Sequence, residues 1–218
     1  MINASPSKDW QDLQNEVAQI MRESGLVAEV EKKIETVRGP VNIDVYAEDN
    51  TQRPPVIYIC ECKHWRAAIP KTMVHAFRTV AAVYGANWGL IISSAGFQAG
   101  THEAARNSNI RLLNWHEFEE LFEDRWFREH MVRQIQREAG PLIEYTEPIN
   151  SRIFRKADAL SGKAKKKFIA LRQEYRDLAD VSLFSFSGIF QNRPNKPKLP
   201  LKDALVEDVR IPKNLLEA

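Results

Sequence analysis

The sequence predicts an α/β protein: a central mixed β-sheet flanked by helices, followed by a mainly helical C-terminal extension. Short apolar runs rich in strand formers (Val56-Ile57-Tyr58-Ile59-Cys60, Trp88-Gly89-Leu90-Ile91-Ile92 and Ile110-Arg111-Leu112-Leu113) are separated by stretches with apolar residues three and four apart. Helices between buried strands argue a sheet covered on both faces. The charge also changes sign along the chain. Residues 1–147 hold 16 basic and 21 acidic residues, whereas residues 148–218 hold 15 and 8. The expected division is therefore a domain over 1–147 and a basic extension over 148–218.

In chain order, Ser5-Pro6-Ser7 offers caps for a helix whose inward stripe is Trp10, Leu13, Val17, Ile20 and Met21, ended by Gly25. Glu16 falls at the edge of that stripe. Val27 onward alternates loosely as an edge strand, and Arg38-Gly39-Pro40 signals a turn. Val41 to Tyr46 is a second strand, with Asn42, Asp44 and Tyr46 on one face and Val41, Ile43 and Val45 on the other. The polar stretch Glu48 to Pro55 leads to the strand Val56 to Lys63. Pro70 opens a helix carrying Met73, Val74, Phe77, Val80, Ala81 and Tyr84, closed by Gly85. After the Trp88 strand, Ser93-Ser94-Ala95-Gly96-Phe97 turns into a short helix, with the two serines as caps. After the Ile110 strand, a helix over 115–127 points Phe118, Leu121 and Phe122 inward. The predicted order is α-β-β-β-α-β-α-β-α. In the extension, Ala157, Leu160, Ala164, Phe168, Leu171, Tyr175 and Leu178 mark an amphipathic helix, or two broken near Gly162. Val181 to Phe190 suggests a strand pair, and the Pro-rich residues 192–200 an extended arm.

Composition narrows the function classes. With 44% hydrophobic and 28% charged residues the chain reads as a globular protein, and no apolar run approaches a membrane span. The first residues lack a signal-peptide pattern, so a cytoplasmic setting is expected. The two cysteines, Cys60 and Cys62, share one strand face, which disfavours a disulfide and is too few for a zinc site. They read as small core residues. The histidines at 64, 75, 102, 116 and 130 show no metal-ligand spacing. Ser151 to Arg176 carries nine bases against two acids, which suits a polyanion or, equally, a solvated helix face.

The chemistry concentrates in Asp44, Glu61 and Lys63. Glu61 and Lys63 lie two apart on one strand and therefore face the same way. Asp44 sits on the preceding strand. Two carboxylates beside a lysine suit metal-assisted phosphodiester hydrolysis. Hard oxygens hold Mg²⁺, and the lysine orients water or stabilises developing charge. Taken alone, the three residues also read as a surface ion pair and a turn cap.

The succession from the Glu16 helix through GPVNID, VIYICECKHW, the Pro70 to Gly85 helix, GLIISSAGF and NIRLLNW resembles the PD-(D/E)XK nuclease superfamily, closest to its Mrr-like restriction endonuclease branch. The resemblance spans roughly residues 7–125 and does not reach 150–218. It implies a restriction-endonuclease-like core in which Asp44, Glu61 and the backbone carbonyl of Cys62 hold Mg²⁺, with Mn²⁺ able to substitute. It implies Lys63 as the catalytic lysine and Glu16 as a further metal contact. Two features depart from the Mrr pattern. Glu61 stands where many of those enzymes carry Gln, and Val37-Arg38-Gly39-Pro40-Val41-Asn42 replaces a glycine-rich run.

DNA contacts are expected from His64, Trp65 and Arg66, although the same loop reads as a Trp-anchored turn. Lys163, Lys166 and Lys167 are further candidates, with affinity that falls with salt. The expected function is a metal-dependent DNA endonuclease acting in restriction, phage defence or repair, working as a homodimer and open to an unidentified regulatory partner. A junction- or single-strand-selective nuclease, and a non-catalytic nucleic-acid-binding or signalling module, remain the alternatives.

Overall fold

The computed structural model describes residues 2, 7–37, 39–146 and 151–186. The chain divides into two compact units, 1–130 and 131–218. In the first, helix α1 (Trp10–Glu23) precedes strands β1 (Val27–Thr36), β2 (Gly39–Asp49) and β3 (Val56–Lys63). Then follow α2 (Lys71–Tyr84), β4 (Trp88–Ser93), α3 (Thr101–Ala105), β5 (Ile110–Leu113) and α4 (Trp115–Trp126). The five strands form one sheet in the order β1-β2-β3-β4-β5. The first two pairings are antiparallel and the last two parallel, so the sheet is mixed. This is the predicted restriction-endonuclease-like architecture, and the element order matches the sequence reading.

Apolar clusters cover both sheet faces. One gathers Leu13, Val17 and Met21 of α1 with Val45, Cys60, Leu90 and Phe118. The other sets Val74, Phe77 and Ala81 of α2 against Ile43, Tyr46, Ile59 and Ile91. Cys60 and Cys62 are both free thiols buried in the first layer, as expected of small core residues. At Gly89 a Cβ would crowd Ile110 Cδ1 and stand 3.0 Å from Phe77, so a larger residue here would have to displace the Ile110 side chain.

Several local expectations give way. The cap of α1 is Asp9, whose carboxylate accepts from Asp12 N at 2.8 Å, because that side chain stands directly ahead of the first turn. Ser7 bonds elsewhere, and Ser5-Pro6 lies outside the described residues. Trp10 is 48% exposed instead of lying inward, since it lines an open cavity. Pro70 is the N-cap of α2, one position before the predicted first turn. Ser93 and Ser94 do not cap α3; their hydroxyls donate to loop carbonyls, and Gly100 holds the cap position. Leu121 is 39% exposed while Phe118 and Phe122 are buried, because a 100° step turns Leu121 off the stripe. Of the predicted Arg38-Gly39-Pro40 turn, Arg38 lies outside the described residues, while Gly39 and Pro40 already belong to β2.

The alternation predicted for β2 also breaks. Val41 and Ile43 pack on the Tyr46 side, whereas Val45 and Ala47 join the opposite layer. The β1–β2 ladder skips the position where Glu31 faces Asp44, and Glu31 adopts a left-handed φ of 53°. Such a residue reverses the face that its strand presents, and the neighbouring strand follows it.

In the second unit α5 (Val132–Thr146) runs through Gly140-Pro141, where the sequence suggested a change of pattern. Proline keeps a helical φ but loses its N–H bond and crowds the carbonyl four residues back, a cost the rest of the helix carries. Helices α6 (Ser151–Asp158) and α7 (Gly162–Phe186) realise the break near Gly162, with Leu160 exposed in the turn between them. Residues 181–186 are helical, not a strand, because α7 propagates through them. The expected arm at 192–200 lies outside the described residues. Among the described residues no helix is long and apolar enough to cross a membrane.

Candidate active site

The site forms where β2 and β3 part. Their ladder ends at Val45↔Cys60, one step short of Asp44 and Glu61. The Asp44 carboxylate takes over the vacated bond: its Oδ2 accepts from Cys62 N at 2.8 Å. In an extended strand the N–H and C=O of one residue project toward the same neighbour, so the Cys62 carbonyl lies on the Asp44 side too. β3 continues past this point because β4 supports it, pairing Glu61 with Ile91 and Lys63 with Ser93. The charged end of β3 is thus held by parallel pairing on one side and by a side chain on the other.

Lys63 binds both acids. Its Nζ is 2.6 Å from Glu61 Oε1 and 3.3 Å from Asp44 Oδ2. All three side chains are mostly buried but still reach solvent, at 17–22% exposure. Burial pushes the Glu61 carboxyl above its ordinary range, and the Asp44 charge adds to this. Burial also works against the Lys63 ammonium, but the hydrogen bond and charge of Glu61, with those of Asp44, outweigh it and raise its pKa. The cluster sets two carboxyl groups against one ammonium.

This donor set fits a hard divalent cation. Asp44 Oδ1 and Glu61 Oε2 receive no hydrogen bond from the described residues. Carboxylate oxygens with a backbone carbonyl are the ligands such ions prefer, water completing the shell. Among the described residues no group of three or more His, Cys, Asp or Glu side chains stands ready to hold a metal. Glu16 is accordingly not gathered as a third carboxylate; its Oε2 accepts from the Ser7 hydroxyl at 2.5 Å.

An open cavity of about 450 Å³ adjoins the cluster, with Asp44, Cys62, Lys63, His64 and Trp65 on its wall. His64 Nε2 lies 3.2 Å from the Ser7 carbonyl, which ties this ring to the segment before α1. Trp65 is 44% exposed, and Arg66 is exposed beside it. Their loop is braced by Ser94, which donates from its backbone to the Lys63 carbonyl at 3.1 Å and from its hydroxyl to the Trp65 carbonyl at 3.1 Å. Lys163, Lys166 and Lys167 are exposed on the first turns of α7, in the second unit. Sequence reasoning missed Trp10 and Gln14, which line the same cavity. Their spacing of four on α1 was the available signal, hidden because Trp10 reads as a core residue.

The restriction endonuclease family Mrr_cat matches residues 7–122. No curated protein matches the chain. Among solved structures, AF1548, a protein of unknown function, is 16% identical. It aligns over 78% of this chain and 99% of its own, with a TM-score of 0.45, too slight a likeness to carry weight. The matched segment begins before α1, contains every strand of the sheet together with Asp44, Glu61 and Lys63, and ends within α4: this chain belongs to the Mrr_cat restriction endonuclease family.

Proposed function

We propose that the protein is a divalent-metal-dependent DNA endonuclease and that Asp44, Glu61 and Lys63 form its catalytic centre. The supporting observation is the under-neutralised cluster at the parting of β2 and β3, where two carboxylates share one lysine. Asp44, Glu61 and the Cys62 carbonyl would hold Mg²⁺, or Mn²⁺ in its place. When bound, such an ion supplies positive charge opposite the scissile phosphate and lowers the pKa of water. Lys63, held protonated by its two acids, donates to a phosphate oxygen or to the attacking water and offsets charge in the transition state. Glu16 is the remaining candidate for a metal contact through water.

His64, Trp65 and Arg66 stand next to the centre as candidate DNA contacts. In this reading residues 1–147 act as the nuclease domain, and the basic extension over 148–218 adds phosphate contacts through Lys163, Lys166 and Lys167. Cutting both strands of a duplex needs two centres, so a homodimer is part of the proposal. Restriction, phage defence or repair in the cytoplasm is the expected setting, with room for a regulatory partner.

A plasmid-nicking assay tests the core of this reading. Wild type, Lys63→Ala and Asp44→Ala are compared in Mg²⁺, in Mn²⁺ and with EDTA. Metal-dependent nicking lost in both variants is the expected result. Nicking that survives both substitutions, or no nicking by wild type in either metal, would overturn it.

A further inference from the structure

We propose that Trp10 and Trp65 form a stacking subsite for an unpaired nucleobase beside the Asp44–Lys63 cluster, so that nucleic acid enters this site single-stranded or splayed. The proposal deepens the nuclease reading above and rests on it for cleavage, though not for binding. The two tryptophans come from different elements, α1 and the loop after β3, yet both line the one cavity that holds Asp44 and Lys63. They are 48% and 44% exposed, unusual for the residue type that loses most by facing water. The Trp65 backbone is pinned by Ser94, and Lys63 Nζ stands 6.0 Å from its ring centroid.

A second observation points the same way. Gln14, one turn after Trp10 on α1, is only 5% exposed and lines this cavity. Its amide makes no hydrogen bond to the described residues. Its side-by-side donor and acceptor match the edge of a base. Without a bound metal ion, charge disfavours a free phosphate as the ligand of this cavity. Lys63 is already engaged by two carboxylates, and Glu31 adds a further acid to the wall. Stacking, which is indifferent to these charges, is the source of affinity that remains. The cavity volume of about 450 Å³ falls within the range of small-ligand sites. Within a duplex both faces of a base are covered by its neighbours, so only an unstacked base can use these rings.

The test uses the full chain in EDTA at moderate salt, which suppresses phosphate contacts elsewhere. Binding of oligo-dT, oligo-rU of the same length and a blunt duplex is followed by anisotropy and by tryptophan fluorescence. We expect oligo-dT to bind more tightly than duplex and to quench the fluorescence. Trp65→Ala and Trp10→Ala should each weaken oligo-dT binding by roughly 5- to 100-fold, the range for loss of one stacked base. Trp65→Phe should restore most of it, and the alanine variants should lose more affinity for oligo-dT than for duplex. Equal binding of oligo-rU would identify the base as the shared ligand, and preference for oligo-dT would assign the site to DNA. Duplex binding as tight as single strand, or alanine variants that bind oligo-dT like wild type while thermal melts show them folded, would overturn the proposal. Nicking that needs Lys63 but ignores both tryptophans would overturn it and leave the nuclease reading standing. Trp65-dependent binding without cleavage in either metal would do the reverse.

Discussion

Strand β2 carries two aspartates five residues apart, Asp44 and Asp49, each paired with a cation from another element. Asp49 is saturated. Both its oxygens bind Arg125, Oδ1 at 3.0 Å from Nη2, while Thr51 donates to Oδ1 from its backbone and its hydroxyl. Arg125 Nε in turn donates to the Ser24 carbonyl at 2.6 Å, which joins α4 to the end of α1. The Arg125 hydrogen bonds hold the Asp49 carboxyl far below the usual range despite its burial. Asp44 has the opposite surroundings: one lysine divided between two acids, with the second acid pushed upward. A charge pair that serves the fold has every lone pair met. A pair left short of positive charge, at an open cavity, stores an affinity for a cation.

Four measurements sharpen or break this contrast. The largest effect is expected from Lys63→Ala, which should reduce metal-dependent nicking by roughly 10²- to 10⁴-fold, far beyond any loss of folded protein in the melting curve. Asp49→Ala should do the converse. It leaves Arg125 without its buried partner and should lower stability by about 3 kcal/mol in urea, while nicking persists wherever the chain is folded. Because folding depresses the Asp49 pKa, this contribution is fully present above the unfolded value of about 3.9 and is lost as pH falls below it. The urea midpoints of wild type and Asp49→Ala should therefore converge in acid. If they stay apart at low pH, the pair is not the source of the difference.

Metal comes next in size. Mg²⁺ at a hundred times its dissociation constant should stabilise wild type by about 2.7 kcal/mol and leave Asp44→Ala unmoved, a thermal shift that needs no activity. An equal shift in both would place the ion elsewhere. Smallest is Glu61→Gln. Folding raises the Glu61 pKa, so its charge works against stability above the unfolded value, and the relief comes as pH falls. The neutral amide should raise the neutral-pH melting midpoint, by up to about 1 kcal/mol, as nicking is lost. A fall in that midpoint would make the Glu61–Lys63 pair structural and erase the contrast with Asp49.

The sequence by itself determined the order of elements, the mixed sheet and the membership of Asp44, Glu61 and Lys63 in one neighbourhood. Periodicity carries these directly, since buried strands and amphipathic helices differ in repeat and the three residues sit at strand ends. It also determined that the cysteines serve the core, because they alternate with the charged face of β3. Tertiary structure decided what periodicity cannot encode. The left-handed Glu31 switches faces within β1 and β2, so strict alternation misplaces Ile43 and Val45. Asp44 reaches Cys62 N because the strands part there, and that parting is a long-range event. Trp10 carries the apolar signature of a core residue and yet faces a cavity, because burial depends on what lies opposite and not on the residue itself. Arg125 and Asp49, 76 positions apart, meet only once α4 has packed, and no local pattern in either segment announces the other.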